Sequence, residues 1–184
     1  MVVLLVIVSL VVIFGIYLIV LYNGFVSKRN MLEEALSGID VILKKRFDLI
    51  PNLVETVKGY LTHEKETLAN IVSLRNQALN AGTADEKIQF DKKLGNAVGT
   101  IFALAESYPD LKANTNFLSL QEELSEIETE VERSKRYYNA TVRDYNITVE
   151  SFPGNILASS FGFPKRNFLE IEDEKQRETP KVQF

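Results

Sequence analysis

The hydrophobic pattern of the chain changes near its N-terminus from an unbroken apolar run to a helical repeat. The run extends from Val2 to Tyr22 and carries no charged residue. At about 1.5 Å per residue it covers the roughly 30 Å hydrocarbon core of a bilayer. A buried core helix would not be apolar on every face for this length. The run therefore predicts a transmembrane helix.

A secretory signal peptide is the competing interpretation of this run. It would need a basic region before the apolar stretch, a shorter stretch and a cleavage site between small residues. None of these is present, because nothing basic precedes Val2 and "YNGFVSKRN" follows the run. Lys28 and Arg29 lie after the run, so the positive-inside rule places the large domain in the cytoplasm. We therefore expect a single-pass protein of the inner (cytoplasmic) membrane with its short N-terminus outside.

From Met31 onward, apolar residues recur at steps of three and four, as in helical bundles and coiled-coil seams. A first helix is predicted from the membrane to about Leu79, interrupted only by Pro51. We expect a kink at Pro51, because "FDLIPN" lacks the glycine or serine of a loop. A reversal at Pro51 would give the bundle four helices instead of three.

Two further helices follow the first. The second is predicted from about Asp85 to Ser107, because Thr83 and Glu86 have the spacing of a capping box. The third is predicted from Ser119, which forms a similar box with Glu122, to about Ser151, where "FPGN" ends it. Its apolar seam is Phe117, Leu120, Leu124, Ile127, Val131, Ser134, Tyr138, Val142, Tyr145 and Val149.

These elements predict an all-α protein: an N-terminal transmembrane helix that continues into a long antiparallel bundle of three long helices, or four if the chain breaks at Pro51. The predicted division is a transmembrane anchor over 1–24, a helical-bundle domain over 25–156 and a C-terminal tail over 157–184.

The amino-acid composition limits the kinds of active site that the chain can form. The chain has no cysteine, one histidine and a formal net charge of −4, so thiol chemistry is excluded and nucleic acid is not an expected partner. His63 begins "HEKET", which lacks the second histidine of a zinc-protease helix four residues later. There is no glycine-rich phosphate loop. We therefore expect no enzyme activity, no catalytic residue, no metal and no cofactor.

Three blocks of the sequence resemble the signature of the LemA family: "KKRFDLIPNLVETVKGYLTHEKETL", "YPDLKANTNFLSLQEELSEIE" and "RYYNATVRDYN" followed by "FPGN" and by the two phenylalanines of "FGF", Phe161 and Phe163. The resemblance covers nearly the whole chain, with Leu61 and Thr62 where small residues are more usual. It implies a bacterial single-pass membrane protein with a helical bundle, and membrane proteases or signalling proteins as partners. The signature falls on Arg46, Asp48, Pro51, Asn52, His63, Glu64, Tyr108, Pro109, Asn116, Tyr138, Asn139, Arg143, Tyr145 and Asn146.

Polar residues beside the seam of the third helix are the candidates for contact with partners. Tyr138 and Tyr145 lie on the seam itself, so we expect them to be core residues whose hydroxyls reach a bonding partner. The residues predicted to make contacts are Tyr137, Asn139, Asp144 and Asn146 on this helix, together with a patch near Pro51 formed by Arg46, Asp48 and Asn52.

The predicted function is that of a membrane-anchored scaffold or adaptor that is held in the lipid bilayer through residues 2–22. It is expected to form homo-oligomers, to dock on other membrane proteins, or both. A membrane-organising role and a signal-relay role are the alternatives, and a hydrolase is the least favoured.

Overall fold

The structure, a computed structural model, describes residues 1–169, and that part of the chain folds into helices joined by turns, followed by a non-helical segment over 163–169. The helices are α1 (Val2–Lys58), α2 (Lys65–Asn80), α3 (Ala84–Ala105), α4 (Pro109–Lys112), α5 (Thr115–Glu150) and α6 (Gly154–Phe161).

Helix α1 joins the apolar run to the bundle without a break. Its 57 residues extend about 86 Å at 1.5 Å per residue. Its apolar window, which is long enough to cross a membrane, is 0% buried by protein. From Phe25 onward one face is buried, with Ile39, Ile50 and Leu53 each 0% exposed. The prediction of an all-α fold, in which a long apolar N-terminal helix continues into a bundle, is confirmed.

The bundle alternates direction along the chain. Helix α2 turns back along α1, so that Arg75 reaches the carbonyl of Phe47. Helix α3 turns again and places Asp91 beside Arg46. Helix α5 runs antiparallel to α1, with Glu128 near Arg46. The hydrophobic core lies mainly between α1 and α5.

The predicted path of the first helix is wrong beyond Lys58. The chain leaves the helix at Gly59, and the segment 59–64 reverses its direction before α2 begins. Leu61 holds this turn in place, because its side chain is only 1% exposed. Pro51 lies inside α1. The bundle therefore has four long helices, and the reversal occurs at Gly59 instead of at Pro51.

The helix caps were predicted correctly at one position and wrongly at another. The capping box of Thr83 and Glu86 is confirmed, with the backbone N–H of Glu86 donating to Thr83 Oγ1 at 3.2 Å. Ser119 is not a cap. Asn114 caps α5 by accepting from the N–H of Phe117 at 3.0 Å, because asparagine is among the strongest N-cap residues.

The segment after α5 contains a helix that the sequence pattern did not predict. The prediction placed a tail from 157 onward, whereas α6 begins at Gly154, and Phe163 and Leu169 are buried. Residues 170–184 of the predicted tail lie outside the described residues. The division into anchor, bundle domain and tail stays a prediction.

Candidate functional site

Two asparagines on α5 bind the chain segment 163–169, which we call the C-terminal strap. The amide of Asn146 donates to the carbonyl of Arg166 at 2.8 Å and accepts from its N–H at 2.9 Å. The amide of Asn139 makes the same pair of bonds with Leu169, both at 2.9 Å. An extended segment needs hydrogen-bond partners for its backbone N–H and C=O groups, which a neighbouring strand usually supplies. Here each asparagine side chain supplies both partners for one strap residue. We call these two side chains the asparagine clamp.

The spacing of the clamp matches the geometry of the two elements. Seven residues of helix separate Asn139 from Asn146, which is about 10.5 Å at 1.5 Å per residue. Three residues separate Arg166 from Leu169, which is about 10 Å in extended chain. The strap runs antiparallel to α5, since the later asparagine binds the earlier strap residue.

Aromatic side chains fix the start of the strap. Tyr145 is 1% exposed and its hydroxyl donates to the carbonyl of Pro164 at 2.9 Å. Phe163 stacks on Phe25 of α1 with ring centroids 5.1 Å apart, and the Arg29 guanidinium lies 5.6 Å from the same ring. Tyr138 is also buried, so the prediction that Tyr138 and Tyr145 belong to the core is confirmed.

Arg46 is a buried ion rather than part of a surface patch. It is 4% exposed, and its Nη1 donates to both carboxylate oxygens of Asp91 at 3.1 Å. Glu128 lies 3.8 Å from its Nη2. Burial raises the pKa of Asp91 above its usual range, and the attraction of Arg46 opposes that shift. The pair fixes α3 against α1.

Gly95 leaves room for this ion pair. A Cβ atom at Gly95 would lie 3.0 Å from Arg46 Nη2. Beyond the guanidinium a groove of about 400 Å³ opens between α3 and α5, with Gly95, Gly99, Phe102 and Ser125 in its lining.

Pro51 is accommodated by a side chain from the next helix. Proline has no N–H, so the carbonyl four residues earlier, that of Phe47, loses its helical partner. The Nε of Arg75 donates to this carbonyl at 2.8 Å. Arg75 therefore both completes α1 at Pro51 and ties α2 to it.

A latch of polar groups closes the end of the bundle away from the apolar run. The Tyr108 hydroxyl donates to Glu64 at 2.6 Å, and Asn114 donates to the Tyr60 hydroxyl at 3.1 Å. The bond from Tyr108 lowers the pKa of Glu64, and the same bond raises the pKa of Tyr108. His63 is exposed beside this latch.

The seven residues predicted to make contacts therefore fall into two groups. Arg46, Asn139 and Asn146 bind within the chain. Four side chains are exposed: Asp48, Asn52, Tyr137 and Asp144. Asp48 and Asn52 do not share a surface with the buried Arg46. Contact with a partner through any of the seven stays a prediction.

Sequence reasoning missed Asp91 and Arg75. Asp91 carried a usable signal, because it lies three residues before Leu94 on the seam of α3, where a charge requires a buried partner. Arg75 carried none, since its partner is distant in sequence. Phe163 lies in the third signature block, but its contacts with Phe25 and Arg29 were not predicted.

The fold and these contacts define a class: helical-bundle proteins whose first helix is long and apolar enough to cross a membrane, and whose polar motif residues largely hold the bundle together. The family model of the LemA family matches residues 35–184. The chain belongs to the LemA family.

Similar proteins include two named for the magnetosome. Magnetosome protein MamQ 2 of Paramagnetospirillum magneticum is 24% identical over 83% of this chain and 66% of its own length. Magnetosome protein MamQ of Magnetospirillum gryphiswaldense is 22% identical over 83% of this chain and 65% of its own. Protein LemA of Metamycoplasma hominis is 26% identical over 74% of this chain and 63% of its own length. The chain thus spans just under two thirds of the length of these relatives, and none of the three names is that of an enzyme.

Proposed function

We propose that this protein is a membrane-anchored helical scaffold or adaptor that self-associates, docks on other membrane proteins, or both, without catalytic activity of its own. The observation that carries the proposal is the construction of α1. Its first part exposes apolar side chains in every direction, and its second part supplies the core of the bundle. A helix of this kind fixes a rigid body to a bilayer.

The use of the polar signature residues supports a structural role. Arg46 binds Asp91, Glu64 binds Tyr108, and the asparagine clamp binds the C-terminal strap. These are the polar groups that an active site would need to point into a cleft. Their engagement with one another favours a rigid interaction module over an enzyme.

The proposed topology places the bundle in the cytoplasm of a bacterial cell. Lys28 and Arg29 follow the apolar run, and Lys165 and Arg166 of the strap lie at the same end of the bundle. The proposed partners are the lipid bilayer, further copies of the chain, and a membrane protease or signalling protein.

A signal relay is the second candidate, and the continuity of α1 favours it. The helix passes Asn23 and Gly24 without a break, so a tilt of the proposed span would be passed directly to the bundle. A membrane-organising polymer of such rods is the third candidate. It differs from an adaptor because it would change the shape of liposomes, whereas an adaptor would leave the shape unchanged.

The mass of the full-length protein in mild detergent tests self-association. We expect a defined oligomer for the native chain and a smaller species for Tyr137→Ala, because Tyr137 is 60% exposed on α5. Leu118→Ala is the matched control, since Leu118 is 47% exposed on the same helix at its other end. Circular dichroism should show unchanged helicity in both variants. A monomeric native protein would rule out self-association and leave the adaptor role to be tested by crosslinking from Tyr137.

A further inference from the structure

The helix α6 lies at the level where the apolar run of α1 ends. The ring of Phe161 contacts the ring of Tyr22 edge-on, with centroids 5.3 Å apart. Gly154, at the other end of α6, approaches Phe25 so closely that a Cβ atom would lie 3.3 Å from its ring. Tyr22 is the last residue of the uncharged run. If α1 spans the bilayer, α6 therefore lies at the membrane–water boundary.

This region exposes large apolar side chains. Phe152 is 80% exposed, Ile156 is 58% exposed and Phe161 is 55% exposed. Outside the apolar run, the strongly exposed phenylalanines of the described chain are Phe152, Phe161 and Phe168, and all of them follow α5. The phenylalanines of the bundle helices are buried or partly buried. Phe168 lies further along the strap, whereas Phe152 precedes α6 and Phe161 ends it, and α6 lies beside the end of the proposed span.

The charges around α6 are those of a segment at a membrane surface. No charged residue occurs from Ser151 to Pro164; Glu150 precedes this stretch and forms an ion pair with Lys165, which follows it together with Arg166. Lys28 and Arg29 lie on the neighbouring part of α1, where Arg29 contacts Phe163. Apolar side chains beside an excess of basic residues favour the interface of a bilayer that contains anionic lipid.

The contacts at its C-terminal end hold α6 in this position. Gly162 ends the helix with a positive φ of 73°, and the N–H of Phe163 donates to the carbonyl of Ala158 at 2.9 Å. The strap beyond it is fixed to α5 by Tyr145 and Asn146. Phe161 therefore stays next to Tyr22.

We propose that α6 and Phe152 form a second membrane contact, which lies in the headgroup region of the leaflet from which α1 emerges. Two contacts, one that spans the bilayer and one that lies on it, would fix the tilt of the bundle relative to the membrane. This inference rests on the proposed function, because it requires α1 to cross the bilayer. A lipid surface is the favoured occupant because the exposed patch is continuous with the apolar run.

Tryptophan fluorescence in liposomes tests the contact, because the chain contains no tryptophan. Three full-length variants each carry one probe: Phe161→Trp in α6, Phe14→Trp in the apolar run and Tyr137→Trp on the exposed side of α5. The liposomes contain anionic lipid together with lipids brominated either near the headgroups or near the chain ends. Bromine quenches tryptophan on contact, so each variant reports the depth of its site.

We expect Phe161→Trp to lose most of its emission to lipid brominated near the headgroups. Phe14→Trp should lose more to lipid brominated near the chain ends, and Tyr137→Trp should lose little to either. Phe152→Trp is the second probe of α6 and should follow Phe161→Trp, since Phe152 is largely exposed and its replacement disturbs little packing.

Three other outcomes overturn the inference, and they are distinguishable. Quenching of Phe14→Trp without quenching of both α6 probes would remove the second contact and leave the proposed anchor intact. Blue-shifted but unquenched emission from the α6 probes would show that protein, such as a second copy of the chain, covers the patch instead of lipid. No quenching of Phe14→Trp would show that α1 does not enter the bilayer, so the proposed function would fail as well.

Discussion

Helix α1 has two parts: a first part, the apolar run from Val2 to Tyr22, and a second part, the bundle part, from Phe25 to Lys58. The surroundings of the two parts differ. Val11 and Val41 are almost equally exposed, at 66% and 67%, yet they differ in what surrounds them. Around Val11 no side chain is charged, and the hydroxyl of the nearby Ser9 donates to the carbonyl of Val6, whereas Val41 lies on the polar face of a helix whose opposite face is buried against α5. Among the described residues 1–169, the first part has no protein partner for its apolar surface except at Tyr22, and the second part has one. This difference supports our proposal that lipid surrounds the first part, whereas the second belongs to the bundle.

Removal of one charge from the buried pair should give the largest loss of stability in the bundle part. Asp91→Ala leaves Arg46 buried with only Glu128 nearby, so the free energy of unfolding should fall by about 3–5 kcal/mol. Denaturant unfolding of the full-length protein in mild detergent measures this change.

The double variant Arg46→Met with Asp91→Leu is the control for that prediction. It removes both charges, so it should recover most of the loss. If the double variant were no more stable than Asp91→Ala, the uncompensated charge of Arg46 would not be the cause of the loss, and our interpretation of its burial would be wrong.

Loss of an isoleucine side chain should affect the two parts of α1 differently. Ile39 is 0% exposed, so Ile39→Ala should lower the free energy of unfolding of the bundle by about 2–5 kcal/mol. Ile13 is 62% exposed, so Ile13→Ala should leave the unfolding of the bundle unchanged. Equal effects of the two substitutions in the same denaturant titration would contradict the division of α1 into two parts.

The asparagine clamp should have a smaller, local effect. Asn146→Ala removes two hydrogen bonds to Arg166, which corresponds to about 1–3 kcal/mol. Hydrogen exchange should rise in the strap and change little at Ile39. Asn116→Ala, an exposed asparagine at the start of the same helix, is the matched control. Unchanged exchange in the strap of Asn146→Ala would show that the clamp does not hold it.

The latch at the far end should give the smallest effect, with a characteristic pH dependence. The pKa of Glu64 is lowered in the folded protein, so its contribution is present above the usual glutamate pKa and is lost as the pH falls through the lowered value. The pKa of Tyr108 is raised, so its contribution is lost as the pH rises through that raised value. The stability difference between the native chain and Tyr108→Phe should therefore be greatest between these limits. A difference that does not vary with pH would contradict the hydrogen bond.

The periodicity of apolar residues predicted the buried helix faces well, because an apolar residue at a periodic position is itself expected to be buried. On α5 the predicted seam from Phe117 to Val149 faces the core, with Leu120 and Ser134 partly buried. The reversal at Gly59 was missed because one glycine costs a helix only about 1 kcal/mol, whereas Pro51 gives the stronger signal. The proline is tolerated because Arg75 replaces the lost donor, and no local pattern encodes that contact.

The candidate site was harder to predict than the fold. The clamp residues were identified as notable, but their partners lie 20 and 30 residues further along the chain. An asparagine beside a seam can bind a partner protein or its own chain, and only the tertiary structure distinguishes the two. Arg46 and Asp91, in contrast, both occupy seam positions, so a buried ion pair between them could have been predicted from the sequence.

Alkaline carbonate extraction of cell membranes tests the central claim that the first part of α1 is the membrane anchor. The native chain should stay in the membrane pellet. A variant with Val8→Arg, Val11→Arg and Val12→Arg should be extracted, because each arginine near the centre of a span opposes insertion by about 3 kcal/mol. The variant Met31→Arg with Val41→Arg, on the exposed face of the bundle part, should remain in the pellet. Extraction of the native chain, or retention of the triple variant, would contradict the assignment of this part of α1 to lipid.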